Sequence, residues 1–172
     1  MPTISDFRLS LFDSAQIDKC GKHIGRKSYW KLYSIENFFR IIIHSVLSIQ
    51  ISADWWNVAV DKTIRDNAAS AERFRQNYLK KPWHGKPGAH GIYYINLSAL
   101  HEIIRTNANF FYPIIPNLEK WMLGIEELRL PRNLIAHMNF PSNTDMKRID
   151  VFYDDCGNLI ALVKTKVDLI IP

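Results

Sequence analysis

Residues 34–51, SIENFFRIIIHSVLSIQI, decide the fold class. Ser34 sits where a helix N-cap belongs, ahead of a run rich in Phe, Ile, Leu and Val. Arg40 and His44 interrupt the most apolar part, FFRIIIHSVLSI. That leaves it short of the roughly 20 apolar residues a bilayer span needs. The pattern predicts a buried helix of a helical protein. Glu36, Arg40 and His44 recur every four residues and form one polar stripe on that helix. Two readings of the stripe stand side by side. In the first, Glu36 and Arg40 pair across one turn, a structural arrangement that contributes about 0.2–0.5 kcal/mol. In the second, the stripe faces a functional groove, where Glu36 positions another side chain and Arg40 adds charge. A buried ion pair that holds such a cleft in shape lies between the two.

Outward from this helix, residues 53–81 (ADWWNVAVDKTIRDNAASAERFRQNYLKK) predict a second, longer and more polar helix. PWHGKPGAHG (82–91) is a loop, because Gly and Pro dominate it. LSALHEIIRTNANFF (97–111) follows Asn96 as a third helix, and the two prolines of YPIIPN (112–117) end it. LEKWMLGIEELRL (118–130) is a fourth. Pro131 then either bends a continuing helix or opens a new one, and a new helix start there would attract anions. Near the C-terminus, RIDVFYD and LIALVKT alternate apolar and polar residues around DCGN (155–158), the signature of a β-hairpin. Residues 1–30 read as irregular or short elements. The fold expectation is a mainly all-α bundle with a small C-terminal β-hairpin over about 149–166. The whole chain, 1–172, reads as one domain with its core over about 30–150.

The bulk composition agrees. The chain has 172 residues, of which 47% are hydrophobic and 12% aromatic, enough to build one core. The formal charge of +5 permits a polyanionic partner such as RNA without demanding one. Cys20 and Cys156 are distant and unpatterned, so no disulfide framework is indicated and a cytoplasmic setting is the expectation. No signal-peptide pattern opens the chain. Cys20 and His23 lack two nearby partners for a zinc site, and no other metal or cofactor motif occurs. Trp55 and Trp56 read as packing residues. Lys80, Lys81, Trp83, His84 and Lys86, in KKPWHGKPGAHG, are weak candidates for RNA contact through phosphate charge and stacking. The reading set against this, and preferred to it, is a flexible solvated loop.

The stretch RLPRNLIAHMNF (129–140) raises the functional question. It places Arg132, Asn133 and His137 among apolar neighbours. On a helix Arg132 and His137 point roughly 140° apart, whereas Asn133 and His137 share a face. A guanidinium grips phosphate with a planar fork, and an imidazole titrates near neutral pH and serves as general acid or base. The structural alternative is that Arg132 pairs with Glu126 or Glu127 while His137 packs at a helix end.

Arg132-Asn133-Leu134-Ile135-Ala136-His137 resembles the signature of the HEPN superfamily: an Arg, four to six residues, then a His on a late helix of a small bundle. YSIENFFRIIIHSVL followed by DWW is similar to the first-helix region of the branch found in abortive-infection proteins and RNA-quality-control endonucleases. YINLSALHEIIRTNANFFYPII and KWMLGIEELRLPRNLIAH follow in matching order, and the resemblance covers about residues 30–150. It implies a metal-independent endoribonuclease in which the ribose 2′-OH attacks the adjacent phosphate, leaving 2′,3′-cyclic phosphate and 5′-OH ends. It implies His137 as general acid or base, Arg132 on the phosphorane charge and Asn133 holding the His or the phosphate, with Glu36 and Arg40 in support. It further implies no cofactor, a homodimer with a composite active site, a defence or toxin-type role, and a possible cognate antitoxin or regulatory protein. The rival reading is a non-catalytic HEPN-like module that binds RNA or protein, or an antitoxin or scaffold domain.

Overall fold

The computed structural model describes residues 4–172, and among them there is no β-strand. The protein is all-α. Its centre is a long helix running Trp30–Gln50, which follows an N-terminal helix, Ser14–Ile24 (α1), through a π-helical turn at Gly25–Tyr29. We call the long helix α2. It buries Leu32, Ile35, Glu36, Phe39, Ile42, Ile43, Val46 and Leu47. These three- and four-residue steps make one continuous apolar stripe, interrupted by a single carboxylate. The helix starts earlier than the sequence predicts. Ser34 is not its N-cap: the hydroxyl donates to the Trp30 carbonyl at 3.0 Å, one turn back inside the helix. The real cap upstream is Asp13, whose carboxylate accepts the Ala15 N–H at 2.9 Å and starts α1, in a region expected to hold irregular or short elements.

The segment expected as one helix over 53–81 is two, Trp55–Ala59 (α3) and Lys62–Leu79 (α4). Trp55 and Val60 are both buried. On an uninterrupted helix they would point roughly 140° apart. An extended Val60 lets both enter the core, and Asp61 restarts the helix by accepting the Thr63 N–H at 2.7 Å. After the loop and a short 3-10 turn at Gly91–Tyr94 come Leu97–Thr106 (α5), capped by Asn96, and one further turn, Ala108–Phe111 (α6). Asn117, in the left-handed region that Asn tolerates, redirects the chain into Leu118–Ala136 (α7).

Pro131 opens no new helix. It lies buried within α7, which continues to Ala136, so no anion-attracting helix start exists beside Arg132. Pro131 carries no N–H, so the carbonyl four residues back lacks its helical donor.

The expected C-terminal hairpin is also absent: residues 143–163 form one helix, Asn143–Val163 (α8). Ile149, Cys156, Leu159 and Val163 are buried in it, with Phe152 packed on the core. That is a helical 3/4 repeat, not a period of two. Val151, which the alternating reading places with Ile149 on one strand face, is 64% exposed. A capping box fixes the start: the Ser142 hydroxyl accepts the Asp145 N–H, and the Asp145 carboxylate accepts the Ser142 N–H. Gly157, read as a turn residue, faces open space on this helix. There it costs about 1 kcal/mol, which the buried stripe outweighs.

α2 packs against α8, α5 and α6, and α7 packs across α5 and α8. Gly124 of α7 permits close approach to α8, since a Cβ there would collide with the Phe152 ring. Ser45 ties the C-terminal segment to α2 by donating to Ile41 and accepting the Ile170 N–H, both at 2.7 Å. Cys20 and Cys156 are free and buried. Among the described residues no helix is long and apolar enough to cross a membrane.

The helical assignment of the C-terminal region has a direct consequence. Ile149→Ala removes a fully buried side chain from the α2–α8 contact and is expected to lower unfolding stability by about 2–5 kcal/mol in chemical denaturation. Val151→Ala is expected to change it by less than about 0.5 kcal/mol. A hairpin with both residues on its inner face would make the two losses similar.

Candidate functional site

Glu36 is the one carboxylate on the buried stripe of α2, and both of its oxygens are engaged. Oε1 accepts from Arg132 Nε at 2.6 Å, and Oε2 accepts from Arg40 Nη2 at 2.9 Å. Side-chain exposure of the trio runs from 11% to 24%, so the charges are largely desolvated. A carboxylate taken this far from water costs several kcal/mol unless fully paired, and here two guanidinium groups pair it.

The two arginines are not equivalent. Arg40 uses four of its five N–H groups. Beyond Glu36, its Nε donates to the Ile92 carbonyl at 3.2 Å, Nη2 to the Ile95 carbonyl at 3.0 Å and Nη1 to Asn37 Oδ1 at 3.4 Å. It fastens the 91–95 segment to α2. Arg132 gives Nε to Glu36 and one Nη1 bond, at 3.3 Å, to Asn133 Oδ1. Its Nη2 has no partner among the described residues. The trio carries a formal net charge of +1, and three of its four unengaged N–H groups belong to Arg132. That is the chemistry of an anion site. Arg132 does not pair with Glu126, which Arg129 takes at 2.8 Å.

These donors open on a groove of about 550 Å³ between α2, the 87–94 segment and the end of α7. Tyr29, Tyr33 and Asn37 line it from the π turn and α2, Tyr93 and Tyr94 from the loop side, and Met138 from beyond α7. The loop wall is braced. The Tyr94 hydroxyl donates to the Gly88 carbonyl at 2.8 Å, and a Cβ on Gly88 would run into the Tyr93 ring.

His137 lies elsewhere. It caps the end of α7 and is exposed, and the groove lining excludes it. The helix ends there in a Schellman motif. The Met138 N–H bonds the Ile135 carbonyl at 2.9 Å and the Asn139 N–H bonds the Leu134 carbonyl at 3.0 Å, with Met138 in the left-handed region. The five-residue offset works as the sequence suggests: Arg132 turns toward α2 and His137 toward solvent. Asn133 bonds Arg132, not the imidazole. His137 instead continues a face with Leu123 and Leu130, spaced by sevens, and both leucines are exposed. Lys80, Lys81, Trp83, His84 and Lys86 are all exposed on the loop and none lines the groove, although Pro87 and Gly88 of the same loop do.

The polar stripe of α2 divides after Arg40. His44 Nδ1 accepts from Trp55 Nε1–H at 3.1 Å, and its ring meets that of His90 at 5.0 Å. His90 Nδ1 in turn accepts the Ile92 N–H at 3.1 Å, capping the 3-10 turn, and its ring stacks on Trp55 at 5.3 Å. Both imidazoles accept at Nδ1 and sit against aromatic rings. Burial holds His44 below the ordinary histidine range. Burial, with His44 nearby, pulls His90 down to about 4. Sequence reasoning missed His90, whose only signal was its place in a Gly-Pro loop. It also missed the groove tyrosines. The four-residue step from Tyr29 to Tyr33 to Asn37 becomes visible once α2 is started before residue 34.

Among the described residues no group of three or more His, Cys, Asp or Glu is arranged to hold a metal ion. The chain matches no family model, no curated protein and no solved structure in comparisons with each.

The paired imidazoles set a pH dependence. Their folded-state pKa values lie below the unfolded value of about 6.5. The stability they contribute is therefore complete above that pH and declines as pH falls toward about 4. Thermal melts of wild type are expected to shift downward over this window. His90→Asn keeps an acceptor for the Ile92 N–H but cannot protonate, and should show a shallower decline. Superimposable pH profiles would contradict the assignment.

Proposed function

We propose that the chain is an endoribonuclease of the HEPN kind, with Arg132 binding the scissile phosphate and His137 moving the proton. The observation that carries this reading is the unengaged guanidinium edge of Arg132, fixed by Glu36 at a groove, with an exposed histidine one and a half turns further along the same helix. The chemistry is transesterification. His137 accepts the proton of the ribose 2′-OH as that oxygen bonds to phosphorus, the P–O5′ bond breaks, and the departing oxygen is protonated. The products carry 2′,3′-cyclic phosphate and 5′-OH ends. Arg132 offsets the charge gathering on the phosphorane oxygens. Asn133 holds the guanidinium and so acts on the phosphate indirectly.

Arg132 and His137 diverge on one helix, so a single protomer is a poor clamp for one phosphate. Two-fold pairing across the exposed Leu123–Leu130–His137 face of α7 would bring two His137 side chains to one cleft and cover the leucines. The exposed leucines favour a homodimer, and the composite character of its site rests on the family resemblance, since Arg132 faces α2 on the other side of the helix. A metal-free mechanism, a defence or toxin-type role, control by a cognate antitoxin and a cytoplasmic location rest on that resemblance. One observation favours the rival reading of a non-catalytic module binding RNA or protein: the His137 imidazole has no hydrogen-bond partner among the described residues to set its tautomer.

End-labelled RNA incubated in EDTA separates the readings. Wild type is expected to cleave and leave cyclic phosphate ends, and His137→Ala to lose roughly 100-fold or more in rate while keeping its helical circular-dichroism spectrum. Equal cleavage by the variant, or a monomeric mass at micromolar concentration, would contradict the composite site. RNA binding without cleavage by wild type would favour the binding module.

A further inference from the structure

We infer that the groove beside Arg132 is a slot for one unstacked nucleobase of single-stranded RNA, held on the rings of Tyr33 and Tyr29. The inference rests on the reading of this site as an RNA site, and it adds which form of RNA enters and how it is held. Tyr29 and Tyr33 lie one turn apart where the π turn runs into α2, and they are 56% and 67% exposed. Both line the groove that holds the Arg132 guanidinium. Their hydroxyls have no partner among the described residues. The opposite wall is aromatic and braced, as the Tyr94–Gly88 bond shows. Ile135, Ala136 and Met138 close the α7 end with apolar surface.

The ligand chemistry follows from this combination. An inorganic anion would use Arg132 and leave the tyrosine rings idle. A purely apolar ligand would use the rings and leave a desolvated net charge of +1 unmet. A nucleotide uses both, presenting a flat π face to the rings and a phosphate to the guanidinium. The groove volume of about 550 Å³ falls within the range of small-ligand sites, roughly 300–1,000 Å³. A base inside a duplex cannot present its face in this way, because its neighbours cover it.

The same inventory bears on specificity. Both Glu36 oxygens are held by arginines, so Glu36 reads no base edge, and Arg40 keeps a single N–H beyond its bonds to Glu36, Asn37 and two carbonyls. The remaining polar groups are tyrosine hydroxyls, which donate and accept equally, and one N–H each on Asn37 Nδ2 and Arg40 Nη1, donors that every base can meet with an acceptor. The slot therefore tolerates all four bases, and binding depends on stacking and not on sequence.

The test is fluorescence-anisotropy titration of a short labelled RNA bearing 2′-O-methyl groups throughout, as a single strand and annealed to its complement. That strand cannot undergo 2′-OH attack, so binding is read whether or not the chain is a nuclease. Wild type is expected to prefer the single strand. Tyr33→Leu should weaken single-strand binding by about tenfold, and Tyr33→Phe should bind as wild type, because the ring and not the hydroxyl makes the contact. Tyr33 is exposed, so both variants should fold. Equal affinity of wild type and Tyr33→Leu would overturn the slot, as would equal affinity for single strand and duplex. Failure of wild type to bind, with a peptide carrying an aromatic residue beside its C-terminal carboxylate bound instead, would overturn it in favour of a protein partner. Tyr33-dependent binding of the methylated strand, with no cleavage of the unmodified one, would uphold the slot and remove the catalytic reading alone.

Discussion

The Glu36 carboxylate, shared between two guanidinium groups, holds the groove end of this molecule together. It sits on the buried stripe of α2 and joins two otherwise separate parts of the chain. Through Arg132 it fixes the last turns of α7, and through Arg40 it fixes the 91–95 segment. Remove the carboxylate and two like charges remain close together in a poorly hydrated site. Remove either arginine and a buried carboxylate is left half paired. Each change costs several kcal/mol, whereas the intact bridge roughly offsets its own desolvation. The bridge therefore specifies geometry more than it adds stability. It sets where the α7 guanidinium points and how wide the groove stands.

Helical phase explains the rest of the arrangement. A five-residue step on α7 sends Arg132 inward to Glu36 and His137 outward. The Schellman ending at Met138 stops the helix just after His137 and keeps the imidazole at an exposed corner. On α2, steps of three and four place Tyr33, Asn37 and Arg40 beside the groove, and the next step reaches His44, which already faces Trp55 and His90. One stripe thus serves two environments, a cationic groove and an aromatic cluster of neutral imidazoles. The boundary lies where Arg40 binds the Ile92 and Ile95 carbonyls.

Much of this was legible in the sequence, and the misreadings have physical causes. The all-α class and the start of α5 after Asn96 follow from periodicity and cap chemistry that act locally, whereas the Glu36–Arg132 bond joins residues 96 positions apart and is one of two readings the α2 stripe leaves open. α8 was misread because Ile149, Val151 and Tyr153 happen to alternate, while the helical set of Ile149, Phe152, Cys156, Leu159 and Val163 spans a longer window. The Ser142–Asp145 capping box was its local sign. The break at Val60 depends on Trp55 and Val60 both entering a core built by distant elements, which no local pattern records. Ser34 resembles a cap because the residues before it carry fewer aliphatic side chains, yet α2 begins at Trp30 and runs on from the π turn and α1, which Asp13 caps. The pairing of His44 with His90 joins residues 46 positions apart through packing alone.

A double-mutant cycle on Glu36 and Arg132 tests the central claim most directly. Unfolding stabilities of wild type, Glu36→Gln, Arg132→Gln and the double variant would be measured by denaturant titration. A carboxylate that positions α7 predicts a coupling energy of about 1–3 kcal/mol between the two sites. Additive losses, with coupling below about 0.5 kcal/mol, would show that the bridge does not hold the groove and would contradict the account.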